Sequence, residues 1–480
     1  MTNNQLSSLS AGAISVIVAV ALFWWLANDP SAEFAVFKPG ADNEPPPSAL
    51  NAGKAVVIGE HWEQYDSSQI SGSSSWPRFR GTDYSNISHQ PITLSTELES
   101  NPNILWSVDL GEGHAGPAVH NGRIYILDYD EENKADALRC FALSDGREIW
   151  KRSYNVKIKR NHGISRTIPA VTDDFILTMG PRCHVMCLST ETGEMLWGMD
   201  LQRDFGVTVP LWYTGQCPLI DGKTAVIATG GSNLMMGVDC ATGEILWETP
   251  NPNSWKMSHS SILPMTLQGK RQYVYTAIDG IVSVSAEPED LGKILWETNL
   301  WTHSVTAPSP LVLSDERIFV TSGYSAGGML LEITNNNGVF TVDSLKSVRP
   351  HNGMASEQQT PIYRDGLIYG ILPKDGGAAN GQFACFAADD IGKMIWSSGK
   401  TNRFGLGPYI LADDKFFILD DEGVLTVIEA STSNYKQLAR VKILPGPDTW
   451  APLAIVDGKL IARDSHRMIC LDLMEKGINS

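Results

Sequence analysis

The strongest constraint in this chain is a glycine that keeps returning four residues before a tryptophan. The pair stands in SDGREIW at Gly146 and Trp150, ETGEMLW at Gly193 and Trp197, TGEILW at Gly243 and Trp247, LGKILW at Gly292 and Trp296, and IGKMIW at Gly392 and Trp396. A further copy, NILWSVDL at Trp106, keeps the aliphatic-tryptophan ending alone. Successive tryptophans lie 44, 47, 50, 49 and 100 residues apart, the last interval being two periods. A period of about 40–50 residues marks stacked supersecondary units rather than independent domains.

The content of one unit says which kind. QCPLIDGKTAVIATGGSNLMMGVDCATGEILWETP holds four short runs of β-formers separated by DG, GGSN and ATG turn signals, with no sustained helical period. That is a four-stranded antiparallel meander. The same opening of Pro, strand, turn and aliphatic strand recurs in GPAVHNGRIYILDYD, IPAVTDDFILTMG, PSPLVLSDERIFVTSG, TPIYRDGLIYGILP, GPYILADDKFFILDDEG and APLAIVDGKLIARDSH, and more loosely in HSSILPMTLQGKRQYVYTAIDG, eight pairs in all. The fold class this predicts is all-β: an eight-bladed β-propeller of four-stranded antiparallel blades, whose sheets cover each other's faces. In each blade the glycine supplies the positive φ of the turn between third and fourth strands. The tryptophan fills the wedge between diverging blades, and the run Ile245-Leu246-Trp247 reads as a strand buried on both faces. Because the chain ends at MICLDL with a third strand and no fourth, the strand around Trp106 should complete the last blade and lock the ring.

The N-terminus reads differently. From Leu9 to Ala27 no charge interrupts LSAGAISVIVAVALFWWLA, and at about 1.5 Å per helical residue these residues nearly cross a hydrocarbon layer of roughly 30 Å. The organisation expected is a short tail over 1–8, a transmembrane anchor over 9–27, a flexible linker over 28–75 rich in Pro and Ser, and the propeller over 76–480. Within the linker, AVVIGEHWEQY is apolar enough to dock on the body. No basic n-region and no small-x-small site mark a cleaved signal, so the segment reads as an uncleaved anchor. The net charge of −17 repels phosphate backbones and excludes a general nucleic-acid binder.

With the alanine-x-Asp, Thr-Gly, aliphatic, Trp pattern and the segment WPRFRG at Trp76–Gly81, the chain resembles the PQQ-like (quinoprotein-type) β-propeller repeat proteins over about Trp76 to Leu473. Within them it is similar to the BamB-like group of outer-membrane assembly scaffolds. That resemblance implies a non-catalytic, membrane-anchored interaction scaffold on the periplasmic side of a bacterial inner membrane, with cell-envelope proteins as partners and no cofactor. The alternative it implies is a PQQ-dependent alcohol or sugar dehydrogenase using PQQ with calcium, for which Glu112 or Glu357 would be the ion's carboxylate. Against the dehydrogenase pattern there is no adjacent Cys-Cys pair and no Cys-x-x-Cys-His; against the BamB-like pattern there is no lipidation cysteine. The units beginning at Pro308 and Pro408 also lose the tryptophan.

Chemistry should sit in the segments joining a fourth strand to the next first strand, which gather at one mouth of the channel. There lie His114, His162, His259, His303 and His351, with Glu112, Arg166, Trp212, Tyr213, Trp255, Glu357, Gln358, Phe404 and Trp450. A funnel so lined would hold a small ligand or a peptide loop; the plain alternative is solvated loops with ordinary packing aromatics. No nucleophile-base spacing and no phosphate loop appears. Of the seven cysteines, Cys140, Cys187, Cys385 and Cys470 occupy a slot that favours a small apolar residue, in different blades and too far apart to bridge. Cys183, His184 and Cys187 in RCHVMC lack a second donor pair and read as core rather than zinc.

Overall fold

The computed structural model describes residues 15–20, 22–24, 56–68, 70 and 72–475. Two compact units separate at Leu50 and Asn51. In the first, residues 15–20 and 22–24 are helical with exposed apolar side chains. Among the described residues no helix is long and apolar enough to cross a membrane; the rest of the expected 9–27 span lies outside the described residues.

The second unit contains eight sheets, each built on a four-stranded antiparallel blade. Blade 1 runs Ala118–His120, Arg123–Asp130, Ala135–Ala142, Glu148–Asn155, and blade 2 follows with Ala170–Val171, Phe175–Met179, His184–Ser189, Met195–Asp200. Blades 3 to 7 repeat this order from Leu219, Leu263, Leu311, Ile362 and Tyr409. Blade 8 takes Ala454–Val456, Lys459–Arg463 and Arg467–Asp472 from the end of the chain and Asn103–Asp109 from its beginning, with Trp106 opposite Cys470. The ring is therefore closed by main-chain hydrogen bonds between segments more than 350 residues apart in sequence.

One register defect is shared by all eight blades. Between the third and fourth strands the pairing slips by a residue, a β-bulge, and the residue opposite the slip is Trp150, Trp197, Trp247, Trp296, Trp396 or Trp106 in six blades, Lys346 in blade 5 and Ala439 in blade 7. Across the sheet from the indole stands a small residue. It is Cys140, Cys187, Cys385 and Cys470 in four blades, Ser283 in blade 4, and Gly237 in blade 3, where a Cβ would lie 2.1 Å from Trp247 Nε1. This explains the cysteine slot: a thiol leaves room for an indole that lies across the neighbouring strand. All seven cysteines are free and buried.

The glycine belongs to the next blade. A Cβ at Gly146 would lie 2.7 Å from the Trp106 ring, and one at Gly243 2.7 Å from Trp197, while the backbone there holds φ of 74° and 76°. The Trp106 and Trp197 indoles each donate to a carbonyl in that same neighbouring blade, Leu143 O and Cys240 O, both at 2.9 Å. Glycine and tryptophan are thus two halves of one seam contact. Gly392 departs from the rule: its φ is not positive, and it faces Lys346 in place of a ring. With no tryptophan in blade 5, that seam is bridged instead by the ion pair of Lys346 and Asp390.

One further expectation changes. Ile245 and Leu246 are 38% and 50% exposed, so the fourth strand is not buried on both faces; it is the sheet's outer edge, and only the indole reaches back into the seam. Within the expected linker, His61–Gln64 forms a fifth strand on Glu148–Asn155. Trp62 rests 5.2 Å from Trp150 and under the Arg152 guanidinium at 4.6 Å, so this stretch joins the body because its own tryptophan covers an exposed edge.

The segment that follows crosses the ring from within. Trp76 pairs with Val119 of blade 1, Pro77 O accepts from Val171 N of blade 2 at 2.8 Å, and Ile87–Ser88 runs parallel to the first strand of blade 7. Arg80, 4% exposed, donates to Tyr84 O, Ser85 O, Thr360 O and Pro361 O at 2.7–3.0 Å. These residues form a plug across the first strands. Two substitutions separate the seams: Trp106→Ala should lower unfolding stability by about 3–5 kcal/mol through lost packing at the closure. Trp247→Ala, whose ring is half-buried and lacks an Nε1 partner, should cost clearly less by urea denaturation.

Candidate functional site

The plug turns an open ring into a cup. Its cavity, ≈ 140 Å³, has Phe79 of the plug on its lining, and seven of the eight joins between a fourth strand and the next first strand contribute to the wall. Around the ring they bring His114, Arg166, Trp212 with Cys217, His259, Val305 with Ala307, Glu357 with Gln358 and Gln359, and Trp450. Tyr324 completes the wall from the turn between second and third strands of blade 5.

Aromatic stacking organises the wall. Trp212 lies between His259 and Tyr324, with ring centroids at 6.3 and 5.7 Å and interplanar angles of 23° and 25°. Opposed to it in the sequence of joins, His114 packs on Trp450 at 5.0 Å, and Trp450 Nε1 donates to Asp421 Oδ1 at 2.8 Å. The backbone of Trp212 and Tyr213 holds consecutive φ values of 62° and 72°, and that of Tyr324 and Ser325 55° and 67°. For bulky side chains such conformations are strained, and they persist only where the surroundings fix them.

The electrostatics centre on Arg166. Its Nη2 donates to Asn161 O, His162 O and Gly163 O, each at 2.9 Å, and burial pulls the guanidinium down to about 10. His259 and His114 are both pushed down to about 3, first by burial and then by the Arg166 charge, with Arg463 adding to the effect at His114. Both imidazoles are therefore neutral at pH 7. Glu357 Oε2 accepts the Lys374 backbone N–H at 3.2 Å, with Lys374 Nζ 3.9 Å from Oε1.

Of the residues singled out in the sequence, His114, Arg166, Trp212, His259, Glu357, Gln358 and Trp450 meet in this cavity. His162 stands beside it, edge-on to Trp212 at 6.4 Å. The others lie outside it, and His351 is exposed. Glu112 is buried and ion-paired with Arg160 at 2.5 Å; Tyr213 donates to Lys159 O at 2.5 Å; Trp255 and Phe404 sit in the apolar core; and His303 packs edge-on to Trp301 at 4.4 Å. Tyr324, Phe79 and Gln359 escaped the sequence reading. Tyr324 lies in a different class of turn, and nothing in WPRFRG announces that Phe79 ends beneath the opposite loops.

A calcium-bound quinone fits this wall poorly. Calcium takes about six to eight oxygen ligands, whereas the cavity presents the single carboxylate of Glu357, already engaged by Lys374, and Glu112 is held outside it by Arg160. Among the described residues no group of three or more His, Cys, Asp or Glu is placed to hold a metal ion.

The repeat, the closed eight-bladed ring and the cup over a plug define a PQQ-like β-propeller. Residues 134–378, just over half of the 480-residue chain, match the family described as Outer membrane protein assembly factor BamB, and the chain belongs to that family. Among solved structures it is similar to BamB from Moraxella catarrhalis, at 13% identity and a TM-score of 0.51, covering 77% of this chain and 100% of that one. It is also similar to a europium-containing methanol dehydrogenase, at 12% identity and a TM-score of 0.58, covering 83% and 98%. The quinohemoprotein alcohol dehydrogenase from Comamonas testosteroni gives 11% and 0.56, covering 85% and 81%. At these identities the likeness establishes the fold alone. No curated protein matches the sequence.

The depressed histidines give a direct check. In a proton-NMR titration His114 and His259 should stay neutral down to about pH 4, because their folded values of about 3 lie far below the model-peptide value. Being depressed, they bind fewer protons than the unfolded chain does below about pH 6.5, so their share of stability falls as pH drops through that range. Arg166→Gln should move both titrations upward, burial remaining as the larger cause. Unchanged titrations in that variant would refute the assigned coupling.

Proposed function

We propose that this protein is a non-catalytic interaction scaffold of the bacterial cell envelope, held to the inner membrane through residues 9–27, with the propeller on the periplasmic side and the cup receiving a segment of a partner protein. The observation that carries the reading is the composition of the wall. Stacked rings from several blades, set by strained backbone and surrounded by polar backbone groups, provide a rigid amphipathic recognition surface of the kind that anchors binding partners. Membership of a family described as an outer-membrane assembly factor supports the same reading. So does the engagement of the two candidate calcium carboxylates by Arg160 and Lys374.

The test is site-specific photo-cross-linking in the native envelope. A photoreactive residue at Tyr324, 57% exposed at the rim, should capture one or a few discrete envelope proteins. The same group at Val339, 65% exposed at the tip of the blade 5 hairpin, should not capture them. Equal capture at the two positions would remove the cup from the function. Titration with PQQ and calcium tests the dehydrogenase alternative: tight uptake with dye reduction would replace the scaffold reading.

A further inference from the structure

The wall of the cup carries a positive charge that no ion pair among the described residues neutralises. Arg166 satisfies Nη2 on three backbone carbonyls, which orient the guanidinium but bring no formal charge. Its Nε is buried and has no hydrogen-bond partner among the described residues. Among the described residues no carboxylate forms an ion pair with Arg166. Glu357, the carboxylate on the lining, is turned to Lys374 instead. A charge taken partly out of water normally finds an opposite charge because desolvation penalises it alone, and planar guanidinium is the side chain best matched to a carboxylate.

What surrounds Arg166 limits the group that would bring that carboxylate. The cavity is lined mainly by apolar surface, with Trp212 and Trp450 as its largest rings. Its ≈ 140 Å³ lies well below the roughly 300–1,000 Å³ of drug-sized ligand pockets. That is room for one side chain or chain end. Left-handed backbone at Trp212, Tyr213 and Tyr324 places strain at this site, as it does at His162, Ser254 and Asp448 in neighbouring joins.

We propose that the cup binds a carboxylate carried on an apolar or aromatic group, with Arg166 as the charge partner and the Trp212 and Trp450 rings as walls for the carrier. The inference rests on the scaffold reading and names its partner chemistry: the C-terminal end of a polypeptide and a free organic acid present the same group. Binding neutralises Arg166, so the two imidazoles whose charging it opposes become easier to protonate.

The experiment titrates the purified full chain by calorimetry with four probes. They are phenylacetate, phenylacetamide, a hexapeptide ending in phenylalanine as the free acid, and that hexapeptide as its C-terminal amide. Each acid should bind at least tenfold more tightly than its amide, and saturation with acid should raise the His259 titration in NMR. Tighter binding of the acid peptide than of phenylacetate assigns the site to polypeptide ends; the reverse assigns it to free acids. Arg166→Gln should erase the difference between acid and amide while leaving circular dichroism unchanged. If that variant does not fold, the comparison of acid with amide on the unaltered chain decides alone. Equal affinity of acid and amide, or no binding of any probe, overturns the proposal. Loss of acid preference with Tyr324 cross-links intact removes this subsite and spares the scaffold. Acid preference without cross-links does the opposite.

Discussion

Everything in this molecule depends on a contact between an indole and a missing Cβ. In three seams Trp106, Trp197 or Trp247 of one blade lies against Gly146, Gly243 or Gly292 in the turn of the next, close enough that a methyl group there would overlap the ring. The contact couples two requirements that are otherwise independent, a left-handed turn and a flat surface for a ring. A buried indole removes about 200 Å² from water, worth about 5 kcal/mol at the usual ~25 cal/mol/Å². The bulge places the ring by re-aiming the outer strand, and a cysteine, serine or glycine across the sheet makes room for it. Where the tryptophan is absent the seam changes character: blade 5 uses Lys346 with Asp390, and blade 7 carries Ala439.

A ring held by repeated seams has no natural beginning, and the chain closes it by weaving its early strand at Trp106 into the last sheet. The same early region does two other jobs. One part adds an edge strand through Trp62, covering the outer strand of blade 1. The other becomes the plug, pinned by the buried Arg80, which bonds two carbonyls of the plug itself and Thr360 O and Pro361 O of the ring. A guanidinium satisfied by carbonyls alone still carries its charge, and burial pulls it down to about 10. The plug therefore concentrates desolvation cost near the ring's interior, and closure of the whole circle holds it in place.

The cup inherits its shape from both devices. The joins that line it are free to vary because the seams, not the loops, hold the ring together. Their side chains are nevertheless fixed, since each join is tied at both ends to a closed sheet. That is why a stacked row of His259, Trp212 and Tyr324 can be drawn from three different blades. Arg166 sits in this frame as a cation that forms no ion pair among the described residues, and burial together with its field keeps the neighbouring imidazoles neutral.

The repeat was legible in the sequence because its signals are local: glycine demands a turn, apolar alternation a strand, and the spacing of Trp106 to Trp396 sets the period. From these, eight blades, their strand order and the closure of Trp106 on the last strand follow. So does the gathering of His114, Arg166, Trp212, His259, Glu357, Gln358 and Trp450 in joins of one kind. Which joins converge was decided by the tertiary structure. Glu112, Tyr213, Trp255, His303 and Phe404 occupy the same kind of segment yet turn into ion pairs and core, because their orientation depends on neighbours far away in the chain. The fate of WPRFRG as a floor, the edge position that exposes Ile245 and Leu246, and the meeting of Tyr324 with Trp212 were likewise settled only when the ring closed. They arise from contacts between residues with no periodic relation, and a local pattern carries no information about those.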